Sequence, residues 1–149
     1  MILNHQRAVL VSRRPLELFL RRVQKELRLG EASLTVCLVS DAEMARMNKT
    51  YRKGSGTTDV LSFPAIARRA RGSLRAASEK KEEGAFLGDV AIAPATALRY
   101  AKKNRRTLSS ELRVLILHGV LHLMGYDHET DRGQMDGVER KLRKRFGLA

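Results

Sequence analysis

Hydrophobic positions along the chain alternate between helical spacing and short apolar runs bounded by glycine or proline. Helices are predicted over 15–28, 41–51, 94–104, 107–124 and 130–146, with Asp41 and Thr107 as N-caps. Short strands are predicted over 8–11, 34–39, 59–63 and 86–93. This order predicts an α+β fold with one small mixed sheet of about four strands, in a single domain spanning 1–149.

The stretch 65–84 follows neither the helical nor the strand period. It is rich in Ala, Arg, Ser, Lys and Glu and carries two glycines, but its apolar positions do not repeat. We therefore predict a mobile surface excursion here rather than a linker between domains.

The predicted helix over 107–124 is apolar on almost every side. A helix that is apolar all round is usually buried, so we expect it at the centre of the fold. Polar side chains within such a helix must be hydrogen-bonded or functional, because an unpartnered buried polar group is costly. His118 and His122 are side chains of this kind.

Three imidazoles fall within eleven residues, at His118, His122 and His128. The first two are four positions apart and project from one helix face, and Gly125 suits the left-handed residue that ends a helix. The chain can then reverse and bring His128 back as a third ligand. Three protein ligands leave one position of a tetrahedral zinc open, as in catalytic sites. The sequence therefore predicts one Zn²⁺ at these three residues.

The alternative interpretation is that the three histidines are unrelated. The chain has only four histidines, and three of them are in this cluster. Two of the three also occupy a helix that is otherwise almost wholly apolar, which favours metal binding. His5 lies outside the cluster and is predicted to be a surface residue.

The charge balance is strongly basic, with 29 Lys and Arg against 16 Asp and Glu and a formal net charge of +13. Basic residues concentrate in three blocks, at 7–28, 99–113 and 140–145. A positive field of this kind favours polyanionic partners, of which nucleic acid is the abundant one. The alternative is a charge that serves solubility alone.

Cys37, the only cysteine, lies within an apolar run that predicts a buried strand. It is therefore interpreted as a small hydrophobic residue without a redox or ligand role. A single unpaired cysteine and no signal peptide indicate a reducing cytoplasm. No apolar run approaches the roughly 20 residues of a membrane-spanning helix, so no membrane association is expected.

The spacing H-x-x-x-H-x-x-G-x-x-H over 118–128 resembles the zinc-binding segment of metzincin peptidases. Those peptidases carry a glutamate directly after the first histidine as the general base, whereas this chain has Gly119. Glycine cannot accept a proton, so peptidase activity by the usual route is not expected.

The segment His118-Gly-x-Leu-His122-Leu-x-Gly125-Tyr-Asp-His128 resembles more closely the signature of the YbeY family of bacterial endoribonucleases. Further matches to that family occur upstream in the same order and cover most of 48–128. They are Asn48-x-x-Tyr51-Arg52, Thr58-Asp-Val-Leu-Ser-Phe-Pro64 and Leu87-Gly-Asp-Val90.

The resemblance implies a zinc-dependent endoribonuclease that cleaves single-stranded RNA in 16S rRNA 3′-end maturation and ribosome quality control. Its expected partners are the 16S rRNA precursor and the small ribosomal subunit with its associated factors. It also implies that the catalytic residues are His118, His122, His128 and an arginine that maps onto Arg52. A guanidinium can bind two phosphate oxygens at once, which suits that role. The alternative for Arg52 is a surface residue beside Lys53.

Two other functions stay open from the sequence. One is a zinc hydrolase of another class, such as a peptidase, and the other is a non-enzymatic rRNA-binding assembly factor. The sequence also offers weaker site candidates. Asp89 or Asp127 could orient a ligand imidazole or cap a turn. Ser62 and Phe63 could line the cleft or belong to the strand, and Tyr126 could stack or pack.

Overall fold

A computed structural model describes residues 1–30, 32–52, 56, 58–65, 86–127 and 129–148. Its sheet has the strand order β1-β2-β4-β3. The strands are β1 (Ile2–Asn4), β2 (Ser33–Leu38), β3 (Val60–Pro64) and β4 (Phe86–Ile92). β1, β2 and β4 are parallel, and β3 runs antiparallel to β4. The prediction of an α+β fold with a four-stranded mixed sheet is confirmed.

Five helices are present within the described ranges. They are α1 (Arg13–Glu26), α2 (Asp41–Arg52), α3 (Pro94–Lys103), α4 (Leu108–Leu123) and α5 (Gln134–Arg145). None of the helices in the described ranges has the length and apolar character needed to cross a membrane. The predicted excursion at 65–84 lies outside the described residues except for Ala65.

The predicted strand over 8–11 is wrong, because the first strand is β1. The Gln6 side chain donates to the carbonyl of Val9 at 2.8 Å and accepts from its N–H at 3.0 Å. The Gln6 side chain therefore occupies the N–H and the carbonyl of Val9 that strand pairing would need. The strand forms earlier, at Ile2–Asn4, where the side chain of Ile2 is buried in the core.

Three helix starts also differ from the prediction, and α1 begins two residues early, at Arg13. Ser40, not Asp41, is the N-cap of α2, because its Oγ accepts from the N–H of Glu43 at 3.2 Å. The last helix begins at Gln134 instead of 130. Asp131 accepts from the N–H groups of Gly133 and Met135, both at 2.8 Å, and so holds the preceding residues in a turn.

Helix α4 lies at the centre of the fold, as its all-round apolar pattern predicts. It contacts β3, β4, α1, α3 and α5. Thr107 caps it, as predicted, by accepting from the N–H of Ser110 at 3.1 Å. The opposite face of the sheet packs under α2, where Met44 is fully buried beside Leu61 and Ala91.

Gly119 lets α4 lie directly on β4. A Cβ at this position would be 2.6 Å and 2.9 Å from the two γ-methyls of Val90. Real Cβ atoms do not approach other atoms so closely, so any side chain here would push the helix off the sheet. The glycine thus fixes the height of the histidine-bearing helix above β4.

Candidate metal centre

His118 and His122 converge on one point beside β3. Their Nε2 atoms are 3.1 Å apart, and both side chains are half-buried. Two ring nitrogens at this distance must share either a proton or a cation. Two imidazole nitrogens bound to one tetrahedral zinc lie about 3.3 Å apart, as follows from Zn–N bonds of about 2.05 Å. The pair therefore fits a shared zinc ion in both donor type and spacing.

The end of α4 directs the chain away from the helix axis directly after His122. Gly125 has φ of +102°, the left-handed conformation predicted for it. The N–H of Tyr126 donates to the carbonyl of Leu121, and that of Gly125 donates to the carbonyl of His122. This pair of bonds is the Schellman motif that closes helix ends.

The predicted third ligand, His128, lies outside the described residues. Within them, no group of three His, Cys, Asp or Glu side chains is arranged to hold a metal ion. The three-histidine site therefore stays a prediction, although two of its proposed ligands, His118 and His122, lie close together. Arg52 is the last residue of α2, but its side chain is likewise outside the described part of the chain.

Glu139 of α5 contacts His118, and this contact was not predicted from the sequence. One carboxylate oxygen lies 3.2 Å and the other 3.4 Å from Nδ1 of His118. Burial alone would raise the pKa of Glu139, but the hydrogen bond and the charge of His118 outweigh it, so the pKa is lowered. The carboxylate is therefore ionised at neutral pH.

Asp59 is a second carboxylate whose ionisation is linked to the site. It precedes β3 and is half-buried. Burial raises its pKa above the ordinary value of 3.8, while hydrogen bonds from the backbone and the charge of His118 act in the opposite direction. The charges of the site thus extend from α5 across α4 to the start of β3.

A cavity of about 400 Å³ lies over the histidine pair. Ser62 of β3 and Tyr126 line it together with His118 and His122. The hydroxyl of Ser62 donates to the carbonyl of Gly119 at 3.3 Å, which ties the edge strand to α4. Ser62 is therefore a cleft residue, as one of its two predicted interpretations held, and Tyr126 lines the same cavity.

Two of the remaining weak candidates, Phe63 and Asp89, lie away from the pair. Phe63 packs edge-to-face on Tyr51, with ring centroids 5.2 Å apart, among residues on the opposite side of the sheet. Asp89 also borders that opposite side. Asp127 lines the cavity over the pair, and its carboxylate also caps a turn by accepting from the N–H of Glu129 at 3.0 Å.

Cys37 is half-exposed, which corrects the prediction that it is buried. Its side chain lies on the sheet face opposite α4, where α2 covers the surface only in part. The thiol is 3.3 Å from Nδ1 of His5, which is exposed as predicted. Burial raises the pKa of Cys37, and the charges of Asp89 and Glu43 raise it further, so the thiol stays protonated.

Comparisons with known proteins agree over nearly the whole chain. A family model described as Endoribonuclease YbeY matches residues 2–147. Endoribonuclease YbeY of Solibacter usitatus is 40% identical over 144 residues, which cover 96% of this chain and 86% of the relative. The Koribacter versatilis protein of the same name is 38% identical over 148 residues, covering 99% and 86%. The solution structure of TM1509 from Thermotoga maritima has the same fold, with a TM-score of 0.62 at 24% identity, covering 99% of this chain and 90% of that one.

Proposed function

The chain belongs to the YbeY family of endoribonucleases, and from this we propose that it is a zinc-dependent, single-strand-specific endoribonuclease of rRNA processing. Its substrate is the 16S rRNA precursor, cleaved during 3′-end maturation and quality control of the small ribosomal subunit in the cytoplasm. The observation that carries the proposal is the convergence of the His118 and His122 Nε2 atoms at 3.1 Å in the floor of a cleft.

The proposed zinc ligands are His118, His122 and His128. Neutral imidazoles suit zinc better than magnesium or calcium. A zinc ion bound there supplies a Lewis acid for a phosphoryl oxygen or for the attacking group. The four-residue spacing on α4 and the turn at Gly125 are the local features that support this ligand set.

Arg52 is proposed to bind the scissile phosphate. Extra negative charge develops on the phosphate oxygens during cleavage, and a guanidinium can donate to two of them. The support is the position of Arg52 in the family motif and at the end of α2. Ser62 and Tyr126 are proposed to shape the cleft over the histidine pair.

The packing of Gly119 counts against a peptidase. A glutamate in this position would have to place its Cβ inside the van der Waals radii of the Val90 methyls. The base used by metzincin peptidases therefore has no room in this fold. No observation favours a non-enzymatic assembly factor over an endoribonuclease.

The basic blocks support an RNA substrate. The C-terminal end of α5 meets α1, because Phe146 packs on Phe19 with ring centroids 5.3 Å apart and Arg22 stacks on the Phe146 ring. Both helices carry exposed cations, which include Arg14, Arg21, Lys25, Arg140, Lys141 and Lys144. Binding through these groups should weaken steeply with salt.

Cleavage of an rRNA precursor by purified variants tests the proposal. We expect His118→Ala and Arg52→Glu to abolish processing while their circular dichroism spectra stay native. His5→Ala is the matched control, because it removes an imidazole from the opposite side of the sheet, and it should retain activity. Wild-type cleavage by both site variants would refute the assignment.

A further inference from the structure

Glu139 places a carboxylate on a helix face that is otherwise apolar. On α5 it lies four residues after Met135 and three before Leu142, both of which are buried in the core. Its side chain is only 13% exposed. The cations of α5 point mainly to solvent instead, as Arg140, Lys141 and Lys144 do.

A buried carboxylate at this position is unfavourable unless it has a specific partner. Removing a charge from water costs more than a modest ion pair returns, and an apolar side chain would pack against α4 at lower cost. The partner is His118, through Nδ1 at 3.2 Å. The contact with His118 therefore explains why a carboxylate occupies this position of α5.

The contact selects one tautomer of His118. An ionised carboxylate can only accept, so the proton of the neutral ring is on Nδ1. The lone pair is then on Nε2, the atom that faces His122 at 3.1 Å. Metal-binding histidines commonly donate their other ring N–H to a carboxylate, which fixes the ring and makes the ligating nitrogen more basic.

We propose that Glu139 is a positioning residue that holds His118 in its metal-binding tautomer and orientation. The inference rests on the proposed zinc site but concerns a residue outside the proposed ligand set. It also gives α5 a function: the last helix carries the group that orders a ligand of α4.

Zinc affinity and imidazole tautomer together test this role. The affinity of Glu139→Ala, measured by competition with a chromogenic chelator, should fall by about 10- to 100-fold. Glu139→Gln keeps the shape and one acceptor oxygen, so its loss should be smaller. In the zinc-free wild type, long-range ¹H–¹⁵N spectra should show His118 protonated on Nδ1, and Glu139→Ala should show a mixture of tautomers.

Asp136→Ala is the matched control, because it removes a carboxylate from an exposed position of the same helix. It should leave both the zinc affinity and the tautomer unchanged. A purely structural Glu139 would lower the melting temperature without altering the tautomer, and that result would overturn the inference. If the wild type itself binds no zinc, the proposed function fails first, whereas equal zinc affinity in the wild type and Glu139→Ala refutes the positioning role alone.

Discussion

Replacing Gly119 by alanine tests whether close contact between α4 and β4 sets the position of the histidine pair. In an unobstructed helix the substitution would stabilise by about 1 kcal/mol. Here the new methyl would meet the Val90 γ-methyls at 2.6 and 2.9 Å, and Val90 is fully buried. Overpacking of a core costs about 1–3 kcal/mol. The net expectation is a loss of up to about 2 kcal/mol, or up to roughly 8 °C in melting temperature.

The loss should become smaller when Val90 is truncated. In a Val90→Ala background the methyls at 2.6 and 2.9 Å are gone, and the closest remaining contact of the new methyl is the Cβ of residue 90 at 3.3 Å. Gly119→Ala should therefore destabilise this background by less than it destabilises the wild type. A double-mutant cycle by urea unfolding measures this coupling.

Gly137 provides the control for this cycle. It lies within α5, and a Cβ added there meets nothing within 4 Å. Gly137→Ala should therefore stabilise by about 0.5–1 kcal/mol. If Gly119→Ala stabilises the wild type to the same extent, the close-contact explanation is refuted.

Thr107→Ala should destabilise by about 1 kcal/mol, because it removes the acceptor for the N–H of Ser110, and Thr107→Ser should restore stability in urea unfolding. Asp59→Asn should alter the pH dependence of stability. Because the folded-state pKa of Asp59 is raised, the wild type loses stability as the pH rises through 3.8 toward the raised value, and thermal melts of the variant should lack this decline.

Local spacing predicts part of the site and distant packing determines the rest. His118 and His122 are one helical turn apart, so their convergence follows from a single helix that the apolar pattern already predicts. Glu139 reaches the same site from 21 residues later, through the packing of α5 on α4. Its only signal in the sequence is a carboxylate between Met135 and Leu142 on an apolar helix face.

The wrong predictions arise where side chains compete with the backbone. The residues at 8–11 have strand-like composition, but Gln6 takes the hydrogen-bonding groups of Val9. Ser40 and Asp41 are adjacent, and both residue types are favoured at the N-cap, so propensity alone does not identify which of them caps α2. The central position of α4, in contrast, follows from its all-round apolar pattern, whereas the strand order β1-β2-β4-β3 depends on long-range pairing that no local pattern predicts.

X-ray absorption at the zinc edge of the purified protein would identify the donor atoms of the proposed metal site. We expect three imidazole nitrogens at about 2.0–2.1 Å and one further light donor that is not imidazole. A sulfur donor at about 2.3 Å would require Cys37, and a fourth imidazole would require His5, and both of these lie on the opposite face of the sheet. Either finding, or a protein that takes up no zinc, would contradict a catalytic site built on these three histidines.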